Sequence, residues 1–208
     1  MRDTSLVIIA RPPLLGRVKS RLAVAIGAPA ALAVYRQLLH RVATVQAAWP
    51  GPVCLLAEHN DGWDDTGLAH LVRRLQPSGG LGPRIAAGLA WGCSVAPQAV
   101  VIGTDCPALS IPHLTAVAAG LNATTSVAFG PAEDGGYWAL GVTALAPMSL
   151  LSADDLPWSQ PTLLVESTRR LQTHECAWHC GPRLADCDEV TDLHAAVAAG
   201  FLRLPDRA

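Results

Sequence analysis

The sequence predicts an α/β fold built on a largely parallel sheet with helices on both faces. Three observations lead there. Residues 6–10, 53–57 and 99–103 are continuous apolar runs of strand length, the pattern of strands covered on both faces. Segments of helical period stand between them. Half of the 208 residues are hydrophobic and 15% are charged, enough apolar surface for one sizeable core, so residues 1–208 are read as one domain.

The first strand, at 6–10, leads into a loop rich in Pro, Gly and Arg and then a helix over about 28–48. In that helix Leu32, Tyr35, Leu38, Leu39, Val42 and Val45 recur at three- and four-residue steps and mark one buried face, while Arg36, Gln37 and Arg41 mark the opposite one. Strands follow at 53–57 and 72–75, the second closed by the turn residues Pro77, Ser78, Gly79 and Gly80. A helix spans 81–95 despite three glycines. The strand at 99–103 ends in Thr104, Asp105, Cys106 and Pro107, with a helix over about 112–121 behind it. Strands at 126–130 and 137–141 flank a Gly-rich turn. A helix at 161–171, a strand at 176–179 and a helix at 192–199, capped by Thr191 or Asp192, complete the series. Ligands in such folds bind outside the carboxyl ends of the strands.

Composition excludes some partners. A net charge of -2 lacks the basic excess that nucleic acid demands. No apolar run approaches the roughly 20 residues of a membrane-spanning helix, and residues 6–10 are too short for a secretion signal, so a cytoplasmic location is expected. Six cysteines at irregular spacing in apolar segments suit reduced thiols. Trp49 and Trp63 read as exposed, with room for a self-contact; the oligomeric state is not encoded legibly.

Reactive residue types collect at strand ends. The loop behind the first strand carries Gly16, Lys19 and the arginines at 11, 17 and 21. Basic side chains there suit a polyphosphate, since Arg grips two oxygens and Lys supplies a point charge; a solvated basic loop is the plainer alternative. Of the 15 basic residues 14 are arginines, and the single lysine lies in this loop. Lys19-Ser20 is not a Walker A motif, because Val18 precedes the lysine, and the dinucleotide glycine fingerprint is absent. Asp105 is placed either to bridge Mg²⁺ to phosphates or to cap the next helix. Glu133 and Asp134 sit at a Gly135-Gly136 turn beside Tyr137 and Trp138, which suits a pocket wall as well as a tight turn. Asp188 precedes the last helix. His174, Cys176, His179 and Cys180 lack the paired spacing of a zinc site, and no Gly-x-Ser-x-Gly elbow is present.

With these motifs in order, the chain resembles a bacterial family of GT-A-like transferases described as DUF2064, or radical-SAM/selenodomain-associated transferases. The resemblance rests on residues 11–22, 80–84, 102–109, 130–138, Pro157-Trp158-Ser159 and the acidic motif at 186–193. It implies a three-layer α/β/α sandwich with a mixed, mainly parallel sheet, the Rossmann-like fold of nucleotide-diphospho-sugar transferases. It implies phosphate binding by Arg11, Gly16, Lys19, Arg21 and Arg84, catalytic roles for Asp105, Lys19 and Asp134, and Mg²⁺ or Mn²⁺ held by Asp105, Asp188 and Asp134. Glu133, Gly135, Gly136 and Tyr137 would form the acceptor or sugar pocket. The family usually has Lys at 11, Thr at 20 and Asp at 80, where this chain has Arg11, Ser20 and Gly80. The expected activity is glycosyl transfer from a nucleotide-diphospho-sugar to a small-molecule acceptor. Nucleotidyl transfer with release of pyrophosphate is the alternative, as in the phospholactate guanylyltransferases of the same fold. A non-catalytic nucleotide-binding protein is a third reading, suggested by Gly80.

Overall fold

The computed structural model describes residues 2–205. Its centre is a seven-stranded sheet made of β1 (Thr4–Ala10), β2 (Val53–Ala57), β3 (Val72–Leu75), β4 (Gln98–Ile102), β5 (Val127–Pro131), β6 (Tyr137–Thr143) and β7 (Trp178–Cys180). Their spatial order is β3-β2-β1-β4-β6-β5-β7. β1 runs parallel to β2 and β4, β2 to β3, and β5 to β7. β6 alone is reversed, antiparallel to both β4 and β5. The short turn at 132–136 dictates that reversal, because a connection so tight joins only antiparallel neighbours.

Helices α2 (Ala28–Ala47) and α4 (Ile111–Ala119) cover one face, and α3 (Leu81–Val95), α5 (Met148–Leu151) and α6 (Leu163–Thr173) the other. The alternation of a strand divides β1 between the two cores: Leu6 and Ile8 pack with Tyr35, Leu39 and Leu114, whereas Val7 packs with Ile85, Leu89 and Phe129. A third apolar cluster joins α1 (Ser20–Ile26), α2 and α7 (Val190–Ala198) through Leu22, Leu38, Cys187 and Leu193. The expected mixed, mainly parallel sandwich is the observed one. Where α3 crosses the sheet, Gly92 is required: a Cβ there would lie 2.5 Å from the Ala99 side chain and 2.6 Å from Ser5 Oγ.

Several expectations are corrected. Residues 20–26, read as loop, form α1, and 148–151 form α5; both are too short to show a helical period. The cap of α7 is Glu189, not Thr191 or Asp192. Asp192 instead reaches back from the first turn, accepting from the backbone N–H groups of Glu189 at 2.7 Å and Asp188 at 3.0 Å. Trp49 and Trp63 are 6% and 1% exposed, so neither offers a surface for self-contact. Their indole N–H groups donate to the carbonyls of Thr4 and His59, which is what lets them be buried. All six cysteines are free thiols. Among the described residues no helix is long and apolar enough to cross a membrane.

Candidate active site

Three segments distant in sequence converge at the carboxyl ends of β1 and β4. The loop behind β1 ends at Lys19, whose backbone is left-handed (φ 48, ψ 47) and which stands directly before α1. The loop behind β4 carries Asp105. The segment leading into α7 brings Asp188, and it is tied down by the N–H of Cys187, which donates to the Asp105 carbonyl at 2.9 Å. Lys19 Nζ donates to Asp105 Oδ1 at 2.5 Å and to Asp188 Oδ1 at 2.9 Å.

The lysine side chain is 4% exposed, whereas the two carboxylates are 47% and 40% exposed. The ammonium therefore lies beneath the pair, on the protein side. Burial opposes its charge, but the attraction of Asp105 and then of Asp188 outweighs burial and holds its pKa above the ordinary lysine value. Arg21, in the first turn of α1 and not in a loop as expected, brings Nη1 to 3.8 Å from Asp188 Oδ2 and remains 68% exposed.

Above the pair opens a cleft of about 580 Å³. Four cations, Arg11, Lys19, Arg21 and Arg84, and four carboxylates, Asp105, Asp134, Asp186 and Asp188, line it together with Gly136 and Tyr137. The remaining expected residues lie elsewhere. Gly16 is exposed at the tip of the first loop, where its positive φ of 74 makes the turn. Glu133 points to solvent. Gly135, with φ 90, shapes the turn and is pressed against the Pro161 carbonyl. Asp105 does not cap a helix, since α4 begins from Ser110. Asp134 Oδ1 accepts from the Gly136 N–H at 2.9 Å, so this side chain both makes the turn and faces the cleft.

Other cleft residues escaped the sequence reading. Asp186 is pushed up to about 6 by burial and then by Asp134, which marks an excess of negative potential at that end. Tyr35 donates its hydroxyl to the Arg11 carbonyl at 2.9 Å and accepts the Arg11 N–H, fixing the start of the loop; its helical spacing had signalled only a buried face. Gln76 donates Nε2 to the carbonyls of Ala10 and Leu56, and its Oε1 accepts from Arg84 Nη1 at 2.8 Å. The amide thus locks Arg84 to the ends of β1 and β2. Arg84 Nε and the Tyr137 hydroxyl are buried without a protein partner.

Among the described residues no three of His, Cys, Asp and Glu gather as a metal cluster, and Asp134 does not join Asp105 and Asp188 around Lys19. The pair alone still fits the habit of Mg²⁺, a hard cation that takes one or two carboxylates and completes its shell with water and phosphate. Both carboxylates keep Oδ2 outside the Lys19 contact, and both face the cleft.

A sequence profile for a family described as "uncharacterized protein conserved in bacteria (DUF2064)" matches residues 39–177. No curated protein matches the sequence. Among solved structures, a provisionally described nucleotide-diphospho-sugar transferase from Desulfovibrio desulfuricans G20 superposes with a TM-score of 0.86 at 19% identity, covering 96% of this chain and 88% of that one. Glucosyl-3-phosphoglycerate synthase from Mycobacterium tuberculosis, solved with Mn²⁺, UDP and phosphoglyceric acid, gives 0.55 at 12% identity over 99% and 80%. A cytidylyltransferase from Leptospira borgpetersenii serovar Hardjo-bovis gives 0.58 at 14% identity over 100% and 91%. At these identities the likeness is one of fold, and the fold neighbours are glycosyl and nucleotidyl transferases.

Proposed function

We propose that this chain, which belongs to the bacterial family DUF2064, transfers a glycosyl group from a nucleotide-diphospho-sugar to a small-molecule acceptor with Mg²⁺ or Mn²⁺. The observation that carries the reading is the Lys19 bridge between Asp105 and Asp188 at the sheet's carboxyl edge, in one cleft with Arg11, Arg21 and Arg84. Arg11 and Arg21 have side chains 56% and 68% exposed and only loose 3.8 Å pairs, with Glu58 and Asp188, that diphosphate oxygens would displace. The unpartnered Nε of Arg84 is a buried donor that a ligand oxygen would satisfy. Asp105 and Asp188 would hold a divalent ion, which would supply neutralisation of the charge that develops on the departing diphosphate.

On the other side, Asp134 is oriented by the Gly136 N–H and keeps Oδ2 to accept the proton of an attacking acceptor hydroxyl. Tyr137 forms the wall beside it. Glu133 and Gly135, which lie off the cleft wall, act here through the shape of the turn.

Nucleotidyl transfer is the second reading, and one observation favours it. Three of the four cleft cations come from the loop behind β1 and the first turn of α1, a concentration that suits a leaving pyrophosphate. The test is a thermal-shift panel of nucleoside triphosphates, diphosphates and nucleotide sugars, with and without Mg²⁺ or Mn²⁺, followed by product analysis. Release of nucleoside diphosphate from a nucleotide sugar supports the first reading, and pyrophosphate from a triphosphate plus acceptor the second. Binding without turnover of any donor leaves the non-catalytic reading, and no shift with any nucleotide at millimolar concentration sinks all three.

A further inference from the structure

The ammonium between two candidate metal ligands has a consequence for how the site is loaded. Two carboxylates bring a charge of -2; Lys19, within 2.9 Å of both, returns it to -1, and Arg21 at 3.8 Å from Asp188 offsets it further. A divalent ion that approached would have to displace an ammonium that already offsets half the charge of this pair, and the other cleft carboxylates, Asp134 and Asp186, do not contact Lys19. The lysine is built for that place. It makes no side-chain cap to α1, and its left-handed backbone, unfavourable for any residue but glycine or asparagine, directs the chain under the carboxylates. Its compact point charge with three donors imitates a metal ion in a way a planar guanidinium does not. In a chain with 14 arginines, this is the one position that keeps lysine.

We propose that the Lys19 ammonium is a resident counter-cation that competes with divalent ions for the Asp105–Asp188 pair, so that the pair takes an ion tightly only together with substrate phosphates, which draw Lys19 and Arg21 onto themselves. The inference deepens the transferase reading and rests on its cation pair. It makes free-metal affinity low by construction and metal binding dependent on the phosphate ligand, a coupling that is reciprocal.

The experiment measures Mn²⁺ binding by calorimetry and by thermal shift, without nucleotide, on wild type and Lys19→Met. Met keeps the length of the side chain and removes its charge. The variant is expected to bind Mn²⁺ at least tenfold more tightly than wild type, and to melt lower than wild type without metal and recover on adding it. Binding equal to or weaker than wild type overturns the proposal. If Lys19→Met does not fold without metal, rescue of folding by Mn²⁺ supports the proposal.

A measurement on wild type stands beside it. With ¹⁵N at the Nζ of the single lysine, the ammonium resonance should stay in place with Mg²⁺ alone and move with Mg²⁺ plus inorganic pyrophosphate. A resonance unmoved by both overturns the proposal. Tighter Mn²⁺ binding by Lys19→Met, alongside no nucleotide response in the panel above, keeps the counter-cation assignment and discards the transferase reading.

Discussion

The Lys19 ammonium and the Asp188 carboxylate, 169 residues apart in the chain, meet at 2.9 Å. Their contact ties the first loop to the approach of the last helix, and Cys187, Leu22 and Leu193 seal the same junction with apolar contacts. Asp188→Asn keeps the shape and removes the charge, while Asp105 continues to hold Lys19. Because Asp188 is 40% exposed, the cost is expected at about 1–2 kcal/mol and not the larger penalty of a fully buried pair. Urea unfolding should show a lower midpoint with an unchanged slope. An unchanged midpoint would mean that the contact contributes nothing to stability.

Arg21 separates binding from folding. Its guanidinium is 68% exposed and its 3.8 Å approach to Asp188 is a loose, solvent-screened pair. Arg21→Ala should therefore leave the melting temperature of the free protein within about a degree, since surface changes of this kind fall within about 0.5 kcal/mol. Affinity for the nucleotide ligand should fall about tenfold or more, the loss of one charge-assisted contact to phosphate. Calorimetric titration with the ligand found in the panel checks both halves. Full affinity in the variant would remove Arg21 from the phosphate site.

Two glycines make opposite predictions. Gly135 has φ 90, and a Cβ there would stand 2.0 Å from the Pro161 carbonyl oxygen, a backbone atom that cannot step aside cheaply. Gly135→Ala is expected to cost about 2–4 kcal/mol through strain and overpacking. Gly80 caps α3 with ordinary extended geometry (φ -74) and nothing within 4 Å of its added Cβ. Gly80→Asp should stabilise by a few tenths to about 1 kcal/mol, by capping free N–H groups and by its charge at the helix N-terminus. It should not alter nucleotide binding, because Gly80 is not part of the cleft wall. A change in affinity would instead give that position a role in the site. The contrast is read from two denaturation curves against wild type.

Much of this architecture was legible because its signals are local. Val53–Ala57, Val72–Leu75 and Leu81–Val95 fall where apolar runs and turn residues place them. Asp105, Lys19 and Asp188 could be singled out as charges at strand and helix ends. What could not be read is what they do to one another: a bridge across 169 residues leaves no trace in spacing, so nothing in the sequence signals that Lys19, read there as a phosphate ligand, also bridges the two carboxylates. Gln76 and Tyr35 were missed for a related reason. One looks like an edge-of-loop amide and the other like a core aromatic, and only the tertiary fold shows each fixing a backbone carbonyl of the β1 end or its loop. Trp49 and Trp63, which read as exposed, differ in the other direction, because their indole N–H groups find backbone carbonyl partners inside.

Both tyrosines of the chain line the cleft; Tyr35 is buried and Tyr137 is half-buried with its hydroxyl oxygen enclosed, which makes their ionisation a report on the intact site. Burial is the largest influence on each: it pushes Tyr35 up to about 12 and Tyr137 higher still. The unfolded chain titrates them near 10. Between these values the native state holds protons that the unfolded state has released, so stability is fully present below pH 10 and falls as pH rises through the folded values. The slope approaches about 1.4 kcal/mol per pH unit for each tyrosine. Ultraviolet titration should accordingly show little phenolate at pH 10.5 in native protein and substantial phenolate in urea at the same pH. Tyr35→Phe should make the loss of stability above pH 10 shallower, although it also removes the hydroxyl that holds Arg11. Native phenolate appearing at pH 10 would mean that water reaches at least one of the two hydroxyls, and that the cleft is more open than its 580 Å³ outline describes.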